Sequence, residues 1–146
     1  MTNTEARDSI FAQFRSYWDQ AAYGVLGLIP TVLWQGQENS SPPSNQEPYA
    51  RATVLHTAGR QATLAGPGGA RWERRGVCLI QCFGPVQGGK GLTLAERMAT
   101  VAKDAFEGKS TPEGVWFRNC RQIDIGPADG WFQINVAADF QYDEVK

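Results

Sequence analysis

The sequence predicts an α+β domain: a mostly antiparallel, mixed β-sheet with two helices packed on one of its faces. Three observations lead there. Two segments repeat apolar residues at helical spacing, one at the start of the chain and one past its middle. Several stretches around them are rich in β-branched and aromatic residues and are bounded by Gly, Pro and Asn. The last of these, Trp131 to Phe140, alternates cleanly. Phe132, Ile134, Val136, Ala138 and Phe140 point one way, while Gln133, Asn135 and Asp139 point the other. The predicted order is α-β-β-β-β-α-β-β.

The first helix is signalled by a capping box, Thr2 with Glu5, and by Ile10, Phe14 and Trp18 at four-residue intervals. Phe11 and Tyr17 widen that stripe. Gly24, Gly27 and Pro30 end the pattern, and Thr31–Trp34 is a short strand. Gly36 to Pro48 is polar with three prolines and predicts an exposed loop. Tyr49 to His56 is the next strand, followed by a turn at Ala58-Gly59 and a short return strand around Gln61 to Leu64. Residues 65–70, with three glycines and a proline, predict a flexible hairpin tip.

Trp72 to Phe83 is almost continuously apolar from Val77, as a strand covered on both faces is. The second helix runs from Leu94 to about Glu107, with Leu94, Met98, Val101, Ala105 and Phe106 as its stripe and Gly108 beyond its end. Val115 to Ile125 is an interrupted strand. The charged segment 141–146 is expected to fray.

The chain has 146 residues, enough for one domain, residues 1–146, that buries roughly 70% of its unfolded surface. Fourteen basic residues against fifteen acidic ones leave a net charge of −1, which argues against a nucleic-acid or membrane-surface protein. There is no apolar leader, and no apolar run reaches the ~18 residues of a membrane span. Cys78 and Cys82 share a strand face about 13 Å apart, too far to pair. With Cys120 they read as buried thiols in a reducing cytoplasm.

One stretch invites a chemical reading. "FGPVQGGKGLTL", Phe83 to Leu94, holds Gly84-x-x-x-x-Gly89-Lys90 between a strand and a helix, close to a phosphate-binding loop. Two features oppose that reading. Gly91 stands where a Ser or Thr hydroxyl would hold Mg²⁺. Thr93 and Glu96 form a second capping box, which places Lys90 three residues before the helix and outside its N-terminal anion site. The stretch is expected to be a connector.

No other pattern supports catalysis. His56 is the only histidine and has no recommended Ser or Cys partner, and no spacing suits a metal. Asp124, Asp129 and Asp139 read as turn or exposed strand positions rather than an acid–base pair. No catalytic, cofactor-binding or metal site is expected. What remains is contact surface: Arg60, Thr63, Arg71, Trp72, Arg74 and Arg75, clustered about the glycine-rich tip, and Trp131 as a further anchor.

Taken together, "PYARATV" (Pro48 to Val54), "RQATL" (Arg60 to Leu64), "RRGVCLIQCFGPVQGGKG" (Arg74 to Gly91) and "GWFQINVAADFQYD" (Gly130 to Asp143) resemble a family. It is the tail terminator-like, or tail completion, proteins of long-tailed bacteriophages, related to the lambda tail terminator. The resemblance implies a virion structural protein without enzyme activity or cofactor, assembled in the host bacterial cytoplasm. Such proteins close the head-proximal end of the tail tube as a hexameric ring, stop its polymerisation, and offer a surface to the head or connector. The implied partners are further copies of the chain, the tail tube protein and a neck protein. Neither a membrane nor sequence-specific nucleic acid is implied. Another neck or tail-tube component of related fold is the alternative, and a nucleotide-binding protein using Gly84 to Lys90 the remote one.

Overall fold

A computed structural model describes residues 1–37, 41–43, 46–64, 66 and 68–146. The loop predictions for 36–48 and 65–70 therefore fall partly outside the described residues. Helix α1 (Asn3–Leu26) begins at the predicted capping box, with the Thr2 hydroxyl accepting from the Glu5 amide and Glu5 reaching back to the Thr2 amide. It ends at Gly27, in the left-handed conformation, whose N–H donates to the Tyr23 carbonyl. Strands β1 (Thr31–Trp34), β2 (Tyr49–Gln61) and β3 (Arg71–Pro85) follow. Helix α2 (Gly91–Asp104) then leads to β4 (Trp116–Ala128) and β5 (Trp131–Val145).

The five strands make one mixed sheet in the order β1-β2-β3-β5-β4. β1 and β2 are parallel and every other neighbouring pair is antiparallel. β5, last in sequence, therefore lies between β3 and β4. Those two strands run in the same direction without touching, and α2 bridges over β5 to join them.

Both helices lie on one face. Ile10, Phe14, Trp18 and Ala22 of α1 and Ala95, Met98, Ala99 and Ala102 of α2 are buried against Ala52, Cys78, Ile80, Cys82, Val136 and Ala138 of the sheet. Phe14 is the hinge of this core: its ring stacks on Phe106 (centroids 5.9 Å apart) and meets Trp18 (5.1 Å) and Trp34 (5.9 Å). The alanines of α2 leave little bulk between helix and sheet, so the helix rides close to β3 and β5. Cys78 and Cys82 sit on the core face as expected, and all three cysteines are free thiols.

Four expectations need correcting. β2 does not turn at Ala58-Gly59. It continues to Gln61 through a bulge between His56 and Ala58, so the return strand is absent and the order is α-β-β-β-α-β-β. The space over Gly59 is taken by the Arg74 guanidinium, the movable end of a long side chain, 2.5 Å from where a Cβ would stand. Segment 141–146 is strand through Val145: Glu144 and Asp143 pair with Trp72 and Glu73, and the Lys146 amide donates to the Ala70 carbonyl. Finally, α2 starts at Gly91 with Lys90 as its N-cap, so the Thr93 capping box does not set the helix start.

The expected interruption of the fourth strand is real. β4 is bulged twice, between Arg118 and Arg121 and between Asp124 and Gly126.

Candidate functional site

The geometry of the connector from β3 to α2 bears on the phosphate reading. Lys90 is at the helix start after all, so the argument from its position fails, but a stronger one replaces it. Gly84 and Gly91 lie back to back. A Cβ on Gly84 would stand 2.0 Å from the Gly91 carbonyl oxygen, and one on Gly91 would stand 1.9 Å from the Pro85 oxygen. The two ends of the arc are thus clasped by backbone contact, which brings the first turn of α2 onto the end of β3. The Val86 amide donates to the Gly130 carbonyl and is not free to meet a phosphate. These glycines are required by packing, and the lysine between them is exposed.

The residues singled out from the sequence come together at one end of the sheet, where β2 and β5 flank the first half of β3. Every β2 residue from Leu55 to Gln61 is exposed. Cross-strand register sets the rest. Trp72 and Arg74 point to the helix face opposite Glu144 and Tyr142, while Glu73 and Arg75 point to the bare face with Asp143 and Gln141. Thr63 accepts from the Arg71 amide at 2.8 Å, fixing the base of the tip.

What the sequence reading missed is the acid in this cluster. Glu73, 7% exposed, accepts from Arg75 (2.6 Å) and Arg60 (3.4 Å). Glu144 accepts from both Nε and Nη2 of Arg74, at 3.3 and 2.8 Å, and Arg71 lies 3.7 Å from Asp143. Arg74 and Lys146 also approach the Trp72 ring, at 5.3 and 6.0 Å from its centroid. The end is a braced lattice with a residual positive balance, five basic side chains against three acidic ones. Trp131 packs edge-on against Tyr49 (4.9 Å), which stacks on Phe83, all at the opposite end of β3. It does not join the cluster.

Hydrogen bonds from Arg60, then Arg75, hold the Glu73 carboxyl below its ordinary range, and those from Arg74 do the same for Glu144. Beside them His56 Nε2 lies 2.9 Å from the Tyr142 hydroxyl, which donates to Asn3 Oδ1 at 2.6 Å. Burial, then Arg74, holds the imidazole below its usual value, and burial pushes the Tyr142 phenol up to about 12. The histidine is packed edge-on against Phe140 and serves structure.

These shifts carry one sign. In the unfolded chain Glu titrates near ~4.3 and His near ~6.5, and both have lower values when folded. Their stabilisation is complete above the unfolded values and is lost as pH falls through the folded ones. The thermal midpoint is therefore expected to fall on acidification from about pH 7 to about pH 3, with amides of residues 71–76 exchanging earlier than those of 77–83. A flat profile, or an unchanged order of exchange, would contradict the bracing.

Among the described residues no group of three or more His, Cys, Asp or Glu side chains is placed to hold a metal ion, and no helix is long and apolar enough to cross a membrane. Asp139 is held by Arg121 and Asn119, and Asp129 lies in the β4–β5 turn.

Two further surfaces stand apart from this cluster, and only the second was not anticipated. The face of the sheet away from the helices carries Arg51, Thr53, Val77, Leu79, Gln81 and Asn135 with no described element over it, so β3 is covered on one face and not on both as its apolar run suggested. A groove of about 590 Å³ runs along the outer side of α1, floored by Phe11 and Trp34, whose rings lie 5.1 Å apart. Helical periodicity assigns Phe11 to the core, which hides the groove from a sequence reading.

No protein-family model matches the chain, and no curated protein matches it. Among solved structures, one is similar over 92% of this chain and 94% of its own, with TM-score 0.64 at 20% identity. Another, from the virion of a native gene transfer agent particle, is similar over 94% of both chains, with TM-score 0.49 at 16% identity. The first likeness, near full length on both sides, shows that this chain has a fold also adopted by a solved protein of very different sequence.

Proposed function

We propose that the chain is a virion structural protein of a long-tailed phage, one that closes the head-proximal end of the tail tube as a ring. In that position it stops tube growth and offers its outer face to the head or connector. It acts by shape, without catalysis or cofactor. The observation that carries the reading is where the resembling segments fall: on β2, on β3 with its clasped connector, and on β5. They are the framework of the fold rather than a local motif.

The geometry supports a contact role. A sheet with helices on one face leaves the other for flat docking, and the braced hairpin end offers a second, chemically different surface. A ring of identical subunits uses two unlike surfaces on each copy, joined head to tail.

Deleting the reading frame from the phage that carries it, then imaging the particles, tests this. The expected result is tails of irregular or excessive length that fail to join heads. Tails of normal length on filled heads would overturn the proposal. Open-ended polymers formed by the purified protein would instead favour the tail-tube alternative.

A further inference from the structure

We propose that the open face of the sheet carries a carboxylate-binding site, built by Arg75, Arg118 and Arg121, at which an acidic side chain of a partner protein docks. Such a site goes beyond the ring reading and does not depend on it.

Two strands bring the three guanidinium groups together. Register lays one row of side chains across the open face, Leu55, Val77, Asp139 and Arg118, and sets Arg121 in the next row beside Ala137. Arg118 and Arg121 are three residues apart, and in a regular strand they would face opposite sides. The bulge between them, with Asn119 at a φ of 54°, gives β4 one residue more than β5 over this span and turns both arginines to the same side. Arg75 reaches the same place from β3. The three line a cavity of about 380 Å³ together with Thr57, Val77 and Asp139.

Each guanidinium is anchored on one side and open on another. Arg121 uses Nη1 alone, donating to the Asn119 carbonyl at 2.8 Å and to Asp139 Oδ1 at 3.2 Å. Its Nε and Nη2, the parallel pair that grips a carboxylate at both oxygens, have no partner among the described residues. Arg75 gives Nε and Nη2 to Glu73 and keeps Nη1. Arg118 meets only the Gln141 side-chain oxygen, and has no carboxylate partner among the described residues. Asp139 is already engaged at both oxygens, by Arg121 and by Asn119. Arg60 and Arg75 share Glu73, so the existing ion pairs leave one positive charge on Arg118 and another divided between Arg60 and Arg75.

The surroundings favour a protein over a nucleic acid. Trp116, Leu55 and Ile123, exposed by 61%, 48% and 41%, border the arginines on the same face. A protein partner would cover them, whereas a phosphate chain would leave them in water. Trp and Arg side by side are the pairing that anchors protein interfaces. Nucleic acid is held instead by repeated phosphate contacts along a basic track. Here Glu73 and Asp139 break any such track, on a chain of net charge −1.

The test titrates the isotope-labelled full chain with the peptide acetyl-Leu-Ala-Glu-Ala-Leu-amide, following the arginine Nε–H resonances by NMR. In extended form this peptide sets Leu, Glu and Leu on one side, roughly 7 Å apart. Saturable shifts at Arg118 and Arg121 are the expected result, with the Gln version of the peptide binding about fivefold more weakly or worse. Arg121→Lys keeps the charge and loses the fork. It should also bind the Glu peptide about fivefold more weakly, with its backbone amide spectrum otherwise unchanged. Equal affinity for the Glu and Gln peptides, or shifts confined to other arginines, would overturn the proposal. So would a short thymidine single strand that moves the same resonances at lower concentration than the peptide, since the site would then belong to nucleic acid.

Discussion

Replacing Gly91 with alanine will destabilise the protein by about 3 kcal/mol or more, and Gly84→Ala will do the same. Either new methyl would lie about 2 Å from a carbonyl oxygen of the facing backbone, and neither neighbour is a side chain that can swing away. To make room, α2 must lift from β3, and Ala95, Met98 and Ala99 lose part of their burial with it. The double variant should cost clearly less than the sum of the two single ones, because one displacement relieves both clashes. Lys90→Ala, on the same loop, should change stability by no more than about 0.5 kcal/mol, since the side chain is exposed and caps nothing. Chemical denaturation of the four variants checks all of this. A neutral Gly84→Ala would refute the clasp, and triphosphate binding that depends on Lys90 would restore the phosphate reading.

Trp18→Ala is the second large effect, an expected loss of about 3–5 kcal/mol. The indole is 1% exposed, meets Phe14 at 5.1 Å, and its Nε1–H donates to the Pro30 carbonyl at 3.1 Å. That hydrogen bond ties the end of α1 to the entrance of β1. Truncation would leave a cavity and an unpaired carbonyl together. Against a typical stability of about 5–15 kcal/mol, the variant should unfold at a much lower denaturant concentration. Trp18→Phe keeps most of the ring volume and isolates the hydrogen bond, for an expected cost of about 1–3 kcal/mol. Equal losses for the two substitutions would mean that packing contributes little at this site.

The fold was legible wherever local chemistry decides. The Thr2–Glu5 box, the Ile10–Phe14–Trp18 stripe, the short strand Thr31–Trp34 and the alternation of Trp131 to Phe140 all stand as read. Errors came where a distant partner overrides a local signal. Ala58-Gly59 looks like a turn until Arg74, fifteen residues on from Gly59, is seen to occupy the space over the glycine. Asp143 and Glu144 look like a solvated tail because the arginines that hold them are some 70 residues earlier in the chain. The cluster Arg60, Arg71, Arg74 and Arg75 was legible as a place and not as a charge, since the counterions of Arg71 and Arg74, Asp143 and Glu144, come from a strand that sequence proximity cannot supply, and only Glu73 lies within the cluster itself. Thr93 and Glu96 carried a valid capping pattern, but the Gly84–Gly91 contact starts the helix three residues sooner.

The position of β5 has a consequence for synthesis. The strand that comes last in sequence is also the wedge between two strands already made, and each of those presents it with an open edge. As the chain leaves the ribosome, at roughly 5–20 residues per second, both helices and four strands emerge before that wedge exists. Their apolar face cannot be sealed until the final segment threads into place. Shielding of nascent subunits by chaperones should matter most in that interval, and a ribosome stalled within residues 131–145 would hold an aggregation-prone intermediate rather than a smaller native domain.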